Sequence, residues 1–262
     1  MFKTSLVSGP VRRVVLGMLA AAAIIANGTF ADASDLNVQP LSLHLKSNRT
    51  SDTITVENRG TMTIRIQVSG FSWDQDLSGV PKYESTQDLV FYPKLLTVEP
   101  GKKKSVRVGL MNTAPAATEK TFRVFFEELP SLASQLVPET TGLTILSKFG
   151  IPVFLDPVRI APKPAVAVKG MHNGILTVAT ANSGNAHFIS TTVGILGLNA
   201  HGATIFDRAQ TGWYVLAHGE REYAVSLDPK ECAALHEITI DLKTSAGNLK
   251  QTLPVTPGPC PK

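Results

Sequence analysis

The sequence predicts an exported, all-β protein of two domains. Three observations carry this: apolar residues that alternate singly along the chain, turn signals between the alternating runs, and an apolar leader at the start. Alternation with a period of two turns one face of an extended chain toward a core and the other toward water. Length agrees, because 262 residues less a leader still hold two cores of ordinary size. With 18% charged residues, 17 prolines and 20 glycines, the composition suits strands and turns better than helices or disorder.

The leader comes first. Lys3, Arg12 and Arg13 precede an apolar run from Val14 to Ala26, followed by Asn27, Gly28 and small residues. Cleavage after Ala31 or after Ala33 would place small side chains at both positions a leader peptidase inspects. The 13-residue run falls short of the roughly 20 residues that cross a bilayer, so residues 1–33 read as a signal peptide and not as a stable membrane insertion. Arg12-Arg13 hints at twin-arginine export, but nothing downstream resembles a cofactor site that needs cytoplasmic insertion, and Sec-type export is the expectation. The formal net charge of +4 falls to +2 once Lys3, Arg12, Arg13 and Asp32 leave with the leader. So weak a balance gives no reason to expect nucleic-acid binding.

The strands follow in order. Ile54 and Val56, then Ile64, Ile66 and Val68, then Val106, Val108 and Leu110 each repeat every second residue. Phe122, Val124 and Phe126 alternate in a later strand, and Leu143, Ile145, Phe149, Ile151, Val153 and Leu155 in the next. Turns are marked by Asn58-Arg59-Gly60, Ser78-Gly79, Pro100-Gly101, Asn173-Gly174, Ser183-Gly184-Asn185 and Gly247-Asn248. Short strands between such turns make a sandwich or barrel. Pro157 to Pro164 holds three prolines in eight residues, too stiff and too poor in amide donors for a central strand, and reads as a linker. Beyond it a second series begins: Leu176 and Val178, Val193 and Ile195, Tyr223, Val225 and Leu227, Ile238, Ile240 and Leu242. The domains expected are 34–157 and 158–262, with no amphipathic helix past the leader.

Cys232 and Cys260 are the only cysteines, and an even pair in an exported chain is most simply one disulfide stapling the second domain. The pair lacks Cys-x-x-Cys spacing, so redox chemistry is not expected. His44, His172, His187, His201, His218 and His236 show no paired metal spacing, and no metal or other cofactor is expected. His187 sits at a turn, where it would satisfy backbone groups. Nucleophile elbows and phosphate-cradling glycine loops are absent, since Gly101-Lys102-Lys103-Lys104 lacks a spaced second glycine, so an enzyme is not expected. Trp73, Trp213 and Phe71 read as core or corner aromatics.

Several segments carry a resemblance. Pro40-Leu41-Ser42-Leu43, Thr53 to Asn58, Val68 to Trp73, Leu95 to Gly101, Val106-Arg107-Val108, Phe122 to Pro130 with Glu128-Leu129-Pro130, and Leu143 to Phe154 with Ile151-Pro152-Val153-Phe154 resemble, in order and spacing, the N-terminal domain of PapD-like periplasmic pilus chaperones. The second half is similar less sharply, through Thr180 to His187 and the late cysteine pair. The resemblance implies two immunoglobulin-like β-sandwich domains set at an angle with a cleft between them, a periplasmic location, and no active site. It also implies a job: the chaperone's last N-domain strand fills the groove of an incomplete pilus subunit and delivers it to an outer-membrane usher, a recognised form of strand addition. A self-capping dimer is a further expectation. The rival readings are an exported surface subunit or adhesin, and a chaperone for another surface polymer. A pilus subunit should open with an alternating apolar arm, and Asp32 to Asn37 is too short and too polar for one.

Within that resemblance the candidate donor strand is Leu143, Ile145, Ser147, Phe149 and Ile151, which share one parity with Ser147 as the polar gap. Ile151, Val153 and Leu155, nearest the linker, are expected to pack the chaperone's own core. Leu143 and Ile145 follow a polar, proline-containing stretch and are expected to contact the subunit, while Pro152 argues for an edge strand. One family feature is missing. The arginine and lysine that anchor a subunit's terminal carboxylate fall here on Ser42 and Pro152. Lys148 is the nearest substitute anchor, the bland alternative being a solvated lysine that deters wrong pairing. Arg107 and Arg123 match arginines of the family's own strands.

Overall fold

In the first sandwich, two sheets bury the alternating residues between them. One has the order β1 (Leu36–Gln39), β3 (Ser51–Asn58), β8 (Lys103–Leu110), β6 (Leu89–Tyr92). The other has the order β2 (Leu43–Leu45), β10 (Lys148–Leu155), β9 (Lys120–Leu129), β4 (Ile64–Gln75), β5 (Pro81–Glu84), with β7 (Leu95–Val98) also paired to β4. The computed structural model describes residues 35–112, 114–130, 145–256 and 258–260, so the leader and Leu143 lie outside the described residues. Ile54, Val56, Val106, Val108, Val124 and Val153 are fully buried in the core, with Phe122 and Phe126 beside them.

The second sandwich repeats the scheme. One sheet runs β11 (Pro164–His172), β12 (Ile175–Asn182), β16 (Glu220–Ser226). The facing sheet runs β14 (Thr204–Thr211), β13 (Phe188–Leu198), β17 (Glu237–Thr244), β18 (Leu249–Pro254), with β15 (Tyr214–Val215) on the start of β13. Leu176, Val178, Val193, Ile195, Ile238, Ile240 and Leu242 fill its core. The two halves lack an obvious sequence repeat, yet each closes a corner with a buried asparagine. Asn58 donates to the carbonyls of Met62 (2.7 Å) and Val98 (2.9 Å) and accepts from Gly60 N–H (3.0 Å). Asn182 donates to Ala186, Val215 and Leu216 and accepts from Lys163 and Gly184. Each asparagine satisfies backbone groups that a turn would otherwise leave buried and unpaired.

Two expectations need adjustment. Pro164 is the first residue of β11, paired with Asn182, so the linker is shorter than its prolines suggested. A strand's first residue is where a missing N–H is tolerated. A short helix, α1 (Pro229–Ala234), also interrupts the strands. Asp228 accepts from Glu231 N–H at 2.8 Å while the Glu231 carboxylate takes Asp228 N–H at 3.0 Å, a reciprocal cap with Pro229 at the first helical turn. Six residues are too few for hydrophobic periodicity to reveal. The helix carries buried Cys232, which is bonded to Cys260 across a separation of 28 residues.

Candidate functional site: an open strand edge and the domain junction

The site grows from the backbone of β10. Glu128 N–H donates to Ser147 C=O at 2.9 Å, and Asp156 N–H donates to Leu45 C=O at 2.9 Å. Carried along the register of Lys148 to Leu155 opposite Glu127 to Lys120, these two bonds fix the parity of the strand. Odd residues turn their N–H and C=O toward β9, and even residues turn theirs the other way. On that other side β2 pairs in parallel with Val153, Phe154 and Leu155, and among the described residues no strand pairs with Lys148 to Pro152 there. Pro152 explains where the ladder stops, since it has no N–H to offer Leu41, and it leaves the β9 side intact. β10 is therefore an edge strand in its first half and an interior strand in its last three residues. Among the described residues, no strand takes the backbone groups of Lys148 and Gly150 on that side.

The side chains of the candidate donor strand divide along its length. Ile151 is 3% exposed and belongs to the core, as do Val153 and Leu155. Phe149 is partly buried against that core, and Ser147 donates its N–H to Glu128. Ile145 is 59% exposed, and its neighbour Leu146, of opposite parity, is exposed too. The apolar comb thus passes from a filled core at Ile151 to open space at Ile145. Lys148 is not turned to the second domain: its Nζ sits 2.7 Å from Glu127, directly across the ladder, and 5.2 Å from the centre of the Phe125 ring.

The outer face of the same sheet leads to the junction. Opposite Pro152 stands Arg123, whose guanidinium lies 4.1 Å from the Trp73 ring centre and donates to Tyr83 Oη at 2.9 Å. Trp73 and Phe154 are buried with Leu216 of the second sandwich, and Tyr214 packs edge-on to Trp73 at 5.2 Å. His187 stacks on Phe154 at 4.0 Å, and His44 lies 5.9 Å from His187. Sequence reasoning gave His187 to the backbone of its turn. Its Nδ1 instead faces both carboxylate oxygens of Glu119 at 2.9 Å, a carboxylate that also accepts His187 N–H. His44 faces Asp156 at 2.9 Å. Asn185 ties the sandwiches further by donating to Ala117 and Arg159 carbonyls, and Glu222 N–H donates to Leu77 C=O at 2.7 Å. Burial, first, and the nearby Glu119 carboxylate raise the Tyr214 phenol above its ordinary range, with Arg123 opposing them. Trp213, expected in the core or at a corner, is 49% exposed and packs edge-on against Tyr214. The pairings of His187 with Glu119, His44 with Asp156, and Trp73 with Tyr214 could not be read from spacing, because each joins residues far apart in sequence.

The fold and this edge define a class of protein: a two-sandwich chain with a free strand edge beside its domain junction. Residues 35–161 match the family described as "Pili and flagellar-assembly chaperone, PapD N-terminal domain". Over residues 35–161, the first sandwich belongs to this PapD-like family of pilus assembly chaperones, which is not enzymatic. Among solved structures it is similar to the CsuC–CsuE chaperone–tip adhesion subunit pre-assembly complex of Acinetobacter baumannii, with a TM-score of 0.58, 16% identity, 84% of this chain covered and 98% of that one. It is similar to the YadV chaperone, with a TM-score of 0.56, 13% identity, and 84% and 100% covered. A third is the SafA pilin in complex with the SafB chaperone of Salmonella enterica, with a TM-score of 0.53, 13% identity, and 84% and 97% covered. No curated protein sequence matches the chain.

Proposed function

We propose that the protein is a periplasmic chaperone that caps pilus subunits by lending them the open half of β10, and then hands them to an outer-membrane usher. The observation that carries this reading is the edge itself. Among the described residues, the N–H and C=O groups of Lys148 and Gly150 have no strand partner beside the exposed Ile145, an edge that invites strand addition. The outer edge of β16 is plugged. On β16, the carbonyls of Ser226 and Ala224 accept from Arg208 and Gln210 of β14, and Glu222 N–H is taken by Leu77. The similar CsuC–CsuE and SafA–SafB structures are complexes of chaperone with subunit, which supports a subunit as the occupant here.

In this reading residues 1–33 are a cleaved signal peptide, 34–157 the donor domain and 158–262 the second domain. Leu143 and Ile145 enter the subunit's groove, Phe149 sits at its mouth, and Ile151 serves only the chaperone's core. Without subunit, the same edge is where two copies would cap each other. The test is recovery of the exported protein from periplasmic extract. A small β-rich partner should co-purify with it, and its yield should fall when Ile145 is replaced by Asp, since a charge set against apolar surface is expensive to desolvate. Undiminished recovery of partner by a folded Ile145→Asp protein would refute the docking edge.

A further inference from the structure

We infer that the hairpin joining β4 to β5 is a strut that fixes the angle between the two sandwiches. The hairpin belongs to the first sandwich but ends on the second. β4 pairs with β9 only as far as Ser72, and beyond it Trp73 to Gln75 pair with β5 alone. At the tip, Leu77 C=O accepts the N–H of Glu222 on β16 at 2.7 Å. Gly79, with φ at +77°, lies against the Arg221 guanidinium, and a Cβ there would stand 2.7 Å from Arg221 Cζ. Glycine takes that left-handed conformation without strain, and its missing side chain lets the tip settle on the guanidinium. The tip is itself stiff. Asp76 Oδ1 accepts Ser78 N–H at 2.9 Å and Val80 N–H at 3.0 Å, and Asp76 N–H donates to Val80 C=O at 3.1 Å.

Placement gives this contact its leverage. In the sheet ordered β2-β10-β9-β4-β5, the linker leaves from the end of β10, and Glu119, Ala117 and Arg159 hold His187 and Asn185 of the second sandwich on that side. The hairpin grips the second sandwich from the β5 side, about 14 Å away at three strand spacings. Two domains on a short linker swing by default, and a single attachment leaves a hinge axis. A second attachment, displaced across the width of the sheet, removes that axis. The second sandwich gives up nothing of its own ladder to make the contact. Asn182 N–H donates to Gly219 C=O and Leu227 N–H to Gly174 C=O. The register between them turns the odd residues of β16 toward β12 and leaves Glu222 N–H pointing outward. The strut is independent of what docks on β10.

The experiment uses the mature full chain with Lys102→Cys and His201→Cys, each carrying a nitroxide label, and with the Cys232–Cys260 bond left oxidised. Lys102 and His201 are exposed and lie in turns at the far ends of the two sandwiches, so a small change of angle moves them a long way. In one variant Asn-Gly replaces residues 76–80, which closes the hairpin directly between Gln75 and Pro81 and removes its contact with β16. In a second, Glu222→Pro deletes the N–H that Leu77 accepts and spares the ladder to β12, with Glu222→Ala as its control. Double electron–electron resonance should give one narrow distance in the labelled parent and in Glu222→Ala. The distribution should be about twofold broader in the loop replacement and in Glu222→Pro, with thermal melts confirming that both sandwiches stay folded. A parent distribution as broad as that of the variants, or folded variants as narrow as the parent, would overturn the strut. Should a variant fail to fold, hydrogen exchange in the unmodified chain decides. Glu222 N–H should exchange about tenfold more slowly than Ala224 N–H, the next amide on the same side of β16, and equal exchange of the two would overturn the contact.

Discussion

Replacing Lys148 by proline tests the parity on which the docking edge depends. Lys148 is opposite Glu127 at a position where its N–H points away from β9, so proline there removes a docking donor without removing a bond of the β9 ladder. The ion pair with Glu127 is lost as well, but the two side chains are 54% and 48% exposed, so that loss costs under about 1 kcal/mol. Lys148→Ala loses the same ion pair and keeps the N–H, which makes it the control. In the complex the partner carbonyl that faced Lys148 would be left without a donor, at roughly 1 to 3 kcal/mol. That is roughly a 5- to 150-fold weakening for Lys148→Pro relative to Lys148→Ala. Surface plasmon resonance against the co-purified partner reads the affinity, and a thermal melt confirms that both variants fold. Proline one residue later, at Phe149, should instead break the ladder to β9 and lower the melting temperature. Partner binding by Lys148→Pro within twofold of Lys148→Ala would refute the assignment of this edge.

Three further outcomes are expected. Asn58→Ala should destabilise the first sandwich by about 3 kcal/mol, because it strands the carbonyls of Met62 and Val98 and the N–H of Gly60, and urea unfolding followed in the far ultraviolet reads it. Replacing both Cys232 and Cys260 by serine opens a loop with a separation of 28 residues. The chain-entropy cost is about 3 to 4 kcal/mol, and the melting temperature of the second sandwich should fall by at least about 10 °C in calorimetry. Glu119→Ala removes the acceptor of His187 Nδ1 and N–H across the junction, so limited proteolysis should cut between 157 and 163 faster than in the parent, with little change in the unfolding of either sandwich.

The alternating cores were legible residue by residue. Ile54, Val56, Val106, Val108, Phe122, Val124 and Phe126 are all buried as their parity required. The bond between Cys232 and Cys260 was legible for a different reason, since a chain with two cysteines offers one pairing. The helix at Pro229 was missed because its signal is a cap and not a period, although Asp228, Pro229 and Glu231 spell that cap. The candidate strand was half legible. Period two assigns Ile145, Phe149 and Ile151 to one face but cannot say which of them the sheet has already covered. That depends on where β2 stops pairing, and Pro152 sets the stop only once β2 lies beside it.

By itself the sequence determined the fold class, the two domains and the face of each strand that turns inward, because these follow from local alternation and turn chemistry that act within a few residues. Only the tertiary structure decided that Lys148 is spent on Glu127, that Arg123 stands opposite Pro152 with no acidic partner among the described residues, and that His187 clasps Glu119 across the junction. Charge pairing and burial depend on distances in space, and residues 68 positions apart, such as Glu119 and His187, have no spacing rule to announce them.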